Sequence, residues 1–281
     1  MAQTIAFIIP IRHPKNARNW ALQKHFLIQT VNAIAAQDQA GWTAVVVANA
    51  GSDLPDLPAN VHVKWVDFPP NQFHERGQTS EDTFKDAFRF DKGRRVLAGL
   101  LETVGYEYVM VVDDDDLVSN RLAGMVAARS GEAGWYFEKG YAWDDGGNVV
   151  YLLSDFSRIC GSSHIVRREF LEVPEKFEHA TPDYIKTVLG SHMSYAGQLA
   201  KFDRIMKPLP FPGAVYRVNH QGSHSQTPSV LRRFVFNRTT LANPAMLISR
   251  ISNLRPVSRN IRAEFTLVPG RYTLATDSDA A

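Results

Sequence analysis

The 281-residue sequence contains a single cysteine, Cys160, which leaves no partner for an intrachain disulfide and no cysteine set for a zinc site. A reducing, cytoplasmic compartment fits that absence. No run approaches the roughly 20 apolar residues that cross a bilayer. The apolar start Ile5 to Ile9 stops at Pro10 with no small-residue cleavage pattern, so an unsecreted protein is expected. A strong charge of one sign is missing too: 31 basic and 29 acidic residues give a formal +2, too weak a field for a dedicated nucleic-acid binder. There is no sustained repeat and no low-complexity block.

What is present is ordinary for a folded chain, 44% hydrophobic and 21% charged, and the length allows one large domain or two small ones. An Ile-rich run at 5–11 predicts a strand buried on both faces. Apolar residues at three- and four-residue spacing predict helices over 17–36 and 84–104, the second stopped by Gly105. β-branched runs at 43–48, 61–66 and 108–112 predict three more strands. This order implies an α/β chain with a mostly parallel sheet flanked by helices, which places ligands beyond the carboxyl ends of its strands. Asn49 and Asp113 are expected to converge there. After Asp116 the pattern reads as α+β: a helix near 122–129, two or three strands between 135 and 153 with a hairpin at Gly146-Gly147, and a helix around 184–199.

Tyr108-Val109-Met110-Val111-Val112 runs into Asp113-Asp114-Asp115-Asp116. Four adjacent carboxylates repel one another, so they persist either as a solvated loop or around a cation. Mg²⁺ and Mn²⁺ take oxygen ligands and commonly bind one or two carboxylates plus substrate phosphates. The pattern resembles the DxD motif of GT-A glycosyltransferases, in particular the inverting family-two enzymes of bacterial polysaccharide and glycolipid synthesis. Ile8-Ile9-Pro10 looks like the first strand of that family, and Gly51-Ser52 echoes its Asp-Asp-Gly-Ser turn, with Asn49 where the family usually carries an Asp.

The resemblance implies a GT-A (Rossmann-like) domain over 1–226, with 1–117 the nucleotide-binding half and 118–226 the acceptor-binding half, followed by an Arg-rich C-terminal helical extension over 227–281. It implies a metal, Mn²⁺ or Mg²⁺, at Asp113, Asp115 and Asp116, and a nucleotide-sugar donor, most simply a UDP-sugar, contacted by Pro10, Arg12, Asn49, Lys92, Asp113 and Asp114. The Tyr216-Arg217 strand leads to His220 and His224, alternative metal or diphosphate ligands. Thr181-Pro182-Asp183-Tyr184 resembles the base motif with Pro182 in the usual Glu position. Asp183 is therefore the candidate to take the acceptor proton, its other reading being a charge at a helix N-terminus. Glu178 and Asp155 are reserves. Arg94 and Arg95 read equally as a solvated helix face beside Asp91.

Trp135, Tyr136, Tyr141, Trp143 and Tyr151 concentrate rings that suit sugar faces or a core. From Val230 to Tyr272 there are eight Arg, no Lys and one acid, Glu264. Interleaved with apolar residues, they suit a peripheral contact with anionic lipid at the inner membrane face, a packed extension, or an oligomer contact. The expected function is a metal-dependent hexosyltransferase moving sugar to a glycan or glycolipid acceptor with inversion. The alternatives are a nucleotidyltransferase, although Arg12-His13-Pro14-Lys15 lacks a Gly-rich phosphate loop, and a non-catalytic carbohydrate-binding protein.

Overall fold

A computed structural model describes residues 3–75, 77–219 and 228–270. A seven-stranded sheet runs in the order β10 (Lys207–Pro208), β6 (Gly134–Tyr136), β9 (His164–Arg167), β4 (Tyr108–Val111), β1 (Ile5–Pro10), β2 (Trp42–Asn49) and β3 (Val61–Val66). Its pairs are parallel except where β9 lies antiparallel to β4 and to β6. The expected α/β architecture, a mostly parallel sheet flanked by helices, is therefore what the chain adopts.

The side-chain alternation of a strand explains the layers. From β1, Ile5, Phe7 and Ile9 join Leu27, Val31 and Ile34 of α1 (Trp20–Ala35) on one face. Ala6 and Ile8 join Val96, Leu97 and Leu100 of α2 (Glu81–Leu101) on the other. Burial on both sides is why this strand reads as a continuous apolar run. Gly99 allows α2 to sit close to the sheet, since a Cβ there would stand 2.5 Å from Ile8 Cγ2.

Both helices start where side-chain oxygens cap them. Asn19 accepts the Leu22 amide at 2.9 Å and Ser80 the Thr83 amide at 3.2 Å, with Glu81 and Asp82 in the first turn favouring the helix dipole. The caps shift both starts from the apolar spacing, which carries no information about a polar first turn.

A second sheet runs β12 (Leu254–Pro256), β8 (Val149–Leu153), β7 (Gly140–Asp144), β11 (Ala214–Val218) and β5 (Leu117–Val118). It is antiparallel apart from the β7–β11 pair. After β5 comes α3 (Leu122–Ala127). The helix expected over 184–199 is broken into α4 (Pro182–Tyr184), a π-helical turn (Ile185–Leu189), a 3₁₀ turn (His192–Ser194) and α5 (Tyr195–Ala200). Gly190 separates them because its backbone presses on α2: a Cβ there would lie 2.4 Å from the Arg89 carbonyl oxygen.

The Arg-rich segment is helical, with a π-helical turn (Leu231–Val235), α6 (Arg238–Leu241), α7 (Pro244–Ile251) and α8 (Arg259–Phe265). It also gives β12 to the second sheet, and Phe265 and Leu267 pack on Leu117, Trp143, Val150 and Val215. Glu264 accepts the Ser119 hydroxyl at 2.7 Å, tying the tail to the chain just past the acidic run. Among the described residues, no helix is long and apolar enough to cross a membrane.

Candidate functional site

The acidic run leaves β4 at the carboxyl edge of the parallel strands, beside a cavity of about 400 Å³. Asp113, Asp114 and Asp115 line it together with Pro10, Arg12 and Lys92. Six positions singled out in the sequence therefore meet on one wall.

The four aspartates have different surroundings. Asp113 pairs with Lys92, and its backbone N–H donates to Ser162 Oγ at 2.8 Å. Burial works against the Lys92 charge, but Asp113 outweighs it and holds the ammonium above its ordinary value. Asp114 accepts the Gln23 amide at 2.7 Å. Burial first, then the charges of Asp115 and Asp113, push its carboxyl up to about 7 against the pull of Arg12. Asp116 turns inward, 1% exposed, and accepts from Ser162 Oγ at 2.7 Å and Cys160 Sγ at 3.1 Å. Burial and the neighbouring carboxylates raise it well above the usual range. It is not among the residues on the cavity wall.

Arg217 holds this turn from behind. Its side chain is fully buried and pairs with Asp145, donates to Gln29 Oε1 at 2.7 Å, and donates through Nε to the Asp115 carbonyl at 2.9 Å. The guanidinium also lies 4.5 Å from the Phe26 ring centroid. Thr30 Oγ1 adds a bond to the Asp116 carbonyl at 2.8 Å. The acidic run is thus clamped by α1 and β11 rather than left as a solvated loop.

Asn49 does end its strand at the same edge, but its side chain is engaged away from the cavity. The amide donates to the Phe68 carbonyl at 2.6 Å, and its Oδ1 accepts from Arg95 at 2.8 Å. Arg94 and Arg95 are buried around Asp91 and do not form the solvated face that the sequence allowed. Arg95 reaches the cavity, as does Asp91.

Asp183 is exposed in the first turn of α4, as are Glu178 and Asp155 in their turns, and none of the three lines the cavity. His220 and His224 lie outside the described residues. Of the expected sugar-facing aromatics, Trp135, Trp143 and Tyr151 are core residues; Tyr141 packs edge-on against Phe265, and Tyr136 is partly buried in β6.

Sequence reasoning missed His192 and the α2 residues Lys85, Phe84, Phe88 and Arg89, all on the cavity wall, which Tyr216 of the marked Tyr-Arg strand also lines. The α2 set was findable, since 85, 88 and 89 share a face with the identified Lys92, and 84 lies one turn before 88. His192 carried no local signal: it arrives on the segment that crosses α2 at Gly93, where a Cβ would meet the Ile185 carbonyl oxygen at 2.1 Å. Burial, then the Lys92 charge, lower its imidazole to about 4 while Asp113 opposes.

No family model matches the chain, and no curated protein matches it. Among solved structures, it is similar to TarS of S. aureus, a glycosyltransferase, at 14% identity and a TM-score of 0.41. That match covers 76% of this chain and 37% of TarS, so the chain spans well under half of that protein.

Proposed function

We propose that the protein is a metal-dependent glycosyltransferase that transfers a sugar, most simply a hexose from a UDP-sugar, to a glycan or glycolipid acceptor. One observation carries this reading: a parallel strand delivers Asp113, Asp114 and Asp115 into a cavity that Arg12, Lys92 and Arg95 also line. Carboxylates and cations meeting at such an edge suit a ligand that brings both a divalent ion and phosphate oxygens. The sequence resemblance to family-two enzymes supplies the reaction class.

The donor set suits the ion that the reading requires. Asp113 and Asp115 offer hard oxygen ligands, the type that Mg²⁺ and Mn²⁺ take. Among the described residues, no group of three or more His, Cys, Asp or Glu side chains is arranged to hold a metal alone. An ion held by these two carboxylates would complete its shell with diphosphate and water. Asp115 and Asp113 would hold it, and when bound it supplies charge neutralisation for a leaving nucleoside diphosphate.

This chain's own residues do the rest. Arg12 and Lys92 would bind diphosphate oxygens, with Lys92 kept protonated by Asp113. The Ser162 and Arg217 contacts fix the backbone of the acidic turn, and Gln23 holds the Asp114 carboxylate, before the ligand arrives. Asp183, outside the cavity wall, is given no part in this reading.

The extension adds a proposed location. Leu241, Ile248 and Ile251 are exposed on a segment rich in arginine, which suits peripheral contact with an anionic cytoplasmic membrane face.

A thermal-shift panel of UDP-, GDP- and dTDP-sugars with and without Mn²⁺ tests the reading, because stabilisation grows with ligand concentration over Kd. We expect one nucleotide class to stabilise the protein only with Mn²⁺, and Asp115→Ala to abolish the shift with the fold intact. No shift with any donor, or an unchanged shift in the variant, would reject it.

A further inference from the structure

We infer that the outer half of the cavity, walled by Lys85 and Arg89 of α2, is a subsite for an anionic group, a carboxylate or phosphate, carried by the acceptor glycan. Lys85, Arg89 and Lys92 recur at i, i+4 and i+7 and therefore share one face of the helix. All three line the cavity. At about 1.5 Å per residue, Lys85 lies about 10 Å along the axis from Lys92, roughly the length of two sugar rings beyond the acidic run.

The inner cations are occupied. Lys92 pairs with Asp113, and Arg95 with Asp91 and Asn49. Arg89 is exposed, and its side chain makes no hydrogen bond or ion pair with any described residue. Among the described residues, Lys85 pairs with Glu81 alone, exposed and at 3.6 Å, a contact of little worth in water. The cavity acids, Asp91, Asp113, Asp114 and Asp115, sit toward the Lys92 end. The cavity is therefore graded: carboxylates and the cations paired with them line the inner end, and Lys85 and Arg89 line the outer end with no carboxylate on the wall beside them.

Beside Arg89, Phe88 also lines the cavity, half-buried and stacked on the buried Phe84 with ring centroids 6.2 Å apart. Flat rings beside a guanidinium suit a pyranose whose substituent is an acid, the ring face against carbon and the acid in the Arg fork. A donor diphosphate uses the inner end, so this second positive region has no partner in the donor. Backbone contacts at Gly93 and Gly190 fix the rotation of α2 that turns these residues to the cavity. Assigning the anion to the acceptor rests on the glycosyltransferase reading; the anion subsite itself does not.

The test uses the full chain without metal or nucleotide. Calorimetry compares a glucose tetrasaccharide, the same tetrasaccharide ending in glucuronic acid, and one ending in glucose 6-phosphate. At least one acidic form is expected to bind about tenfold tighter than the neutral one, the size of one charged hydrogen-bonded contact. The tighter of the two identifies carboxylate or phosphate as the source. Arg89→Gln should erase that preference without changing Tm, since the side chain is exposed. Equal affinity of neutral and acidic glycans, or a preference that survives in Arg89→Gln, overturns the subsite. So does a tenfold loss of UDP–Mn²⁺ affinity in the variant, which would assign the arginine to the donor. Should none of the UDP, GDP and dTDP donors bind wild type with Mn²⁺ while the acidic preference stands, the function reading falls and the subsite is supported.

Discussion

Gly161 lies against Asp113 so closely that a Cβ on the glycine would stand 2.6 Å from the aspartate Oδ2 and 3.1 Å from the Lys92 Nζ paired with it. Both atoms are far ends of flexible side chains, and Gly161 has no positive φ. Gly161→Ala should therefore displace the ion pair and leave the fold alone. The expected result is Tm within a few degrees of wild type and about tenfold weaker nucleotide–Mn²⁺ binding, the scale of one charge-assisted contact. Equal binding in the variant would show that the pair's position is immaterial.

Neighbouring aspartates should separate stability from ligand binding. Asp116→Ala removes the acceptor for Ser162 and Cys160 and opens a hole in the core, costing about 2 to 4 kcal/mol in urea unfolding. Asp115→Ala, at the cavity and partly exposed, should change unfolding by less than about 1 kcal/mol. Similar losses in both would contradict their different surroundings.

The buried Arg217–Asp145 pair gives a third test. Arg217→Met strands a buried carboxylate and releases the Asp115 carbonyl, for an expected loss of about 3 to 5 kcal/mol. Adding Asp145→Asn should recover part of it. A double-mutant cycle with no coupling would mean that the pair does not act as a unit.

Acid should weaken the fold through two histidines. Burial, then the nearby His192, lower His164 to about 3, and His192 is itself lowered to about 4. In the unfolded chain each takes a proton near 6.5. Unfolding therefore binds protons below that value, and stability is lost as the pH falls from about 6.5 toward the folded values. Between about pH 7 and about pH 5 each contributes a loss of up to about 2 kcal/mol. Urea midpoints of wild type and His164→Asn across this range check it: the variant's decline should be shallower, and an identical slope would remove His164 as a cause.

The first half of the fold was legible because its information is local. Strands β1 to β4 and helices α1 and α2 are written in runs and spacings, and β3 falls on the residues that its pattern marks. The acidic run, Lys92, Arg12 and Pro10 were legible because the end of a buried strand fixes where the next few residues must lie. The polar partners were not. Gln23 with Asp114, Arg95 with Asn49 and Arg217 with Asp145 are separated by 91, 46 and 72 residues, and no period in a sequence announces such pairings. The break at Gly190 was hidden for a related reason, since only the approach of α2 makes that glycine necessary.

The pairing of β12 with β8, with Glu264 bonded to Ser119, makes the basic tail a keystone rather than an appendage. Trimming the chain ahead of residue 254 to strip away its arginines would also unzip an edge of the second sheet and loosen the backbone three residues past Asp116. A shortened protein that lost activity would thus say nothing about lipid, whereas arginine-to-glutamine exchanges on the outer helices leave that masonry standing.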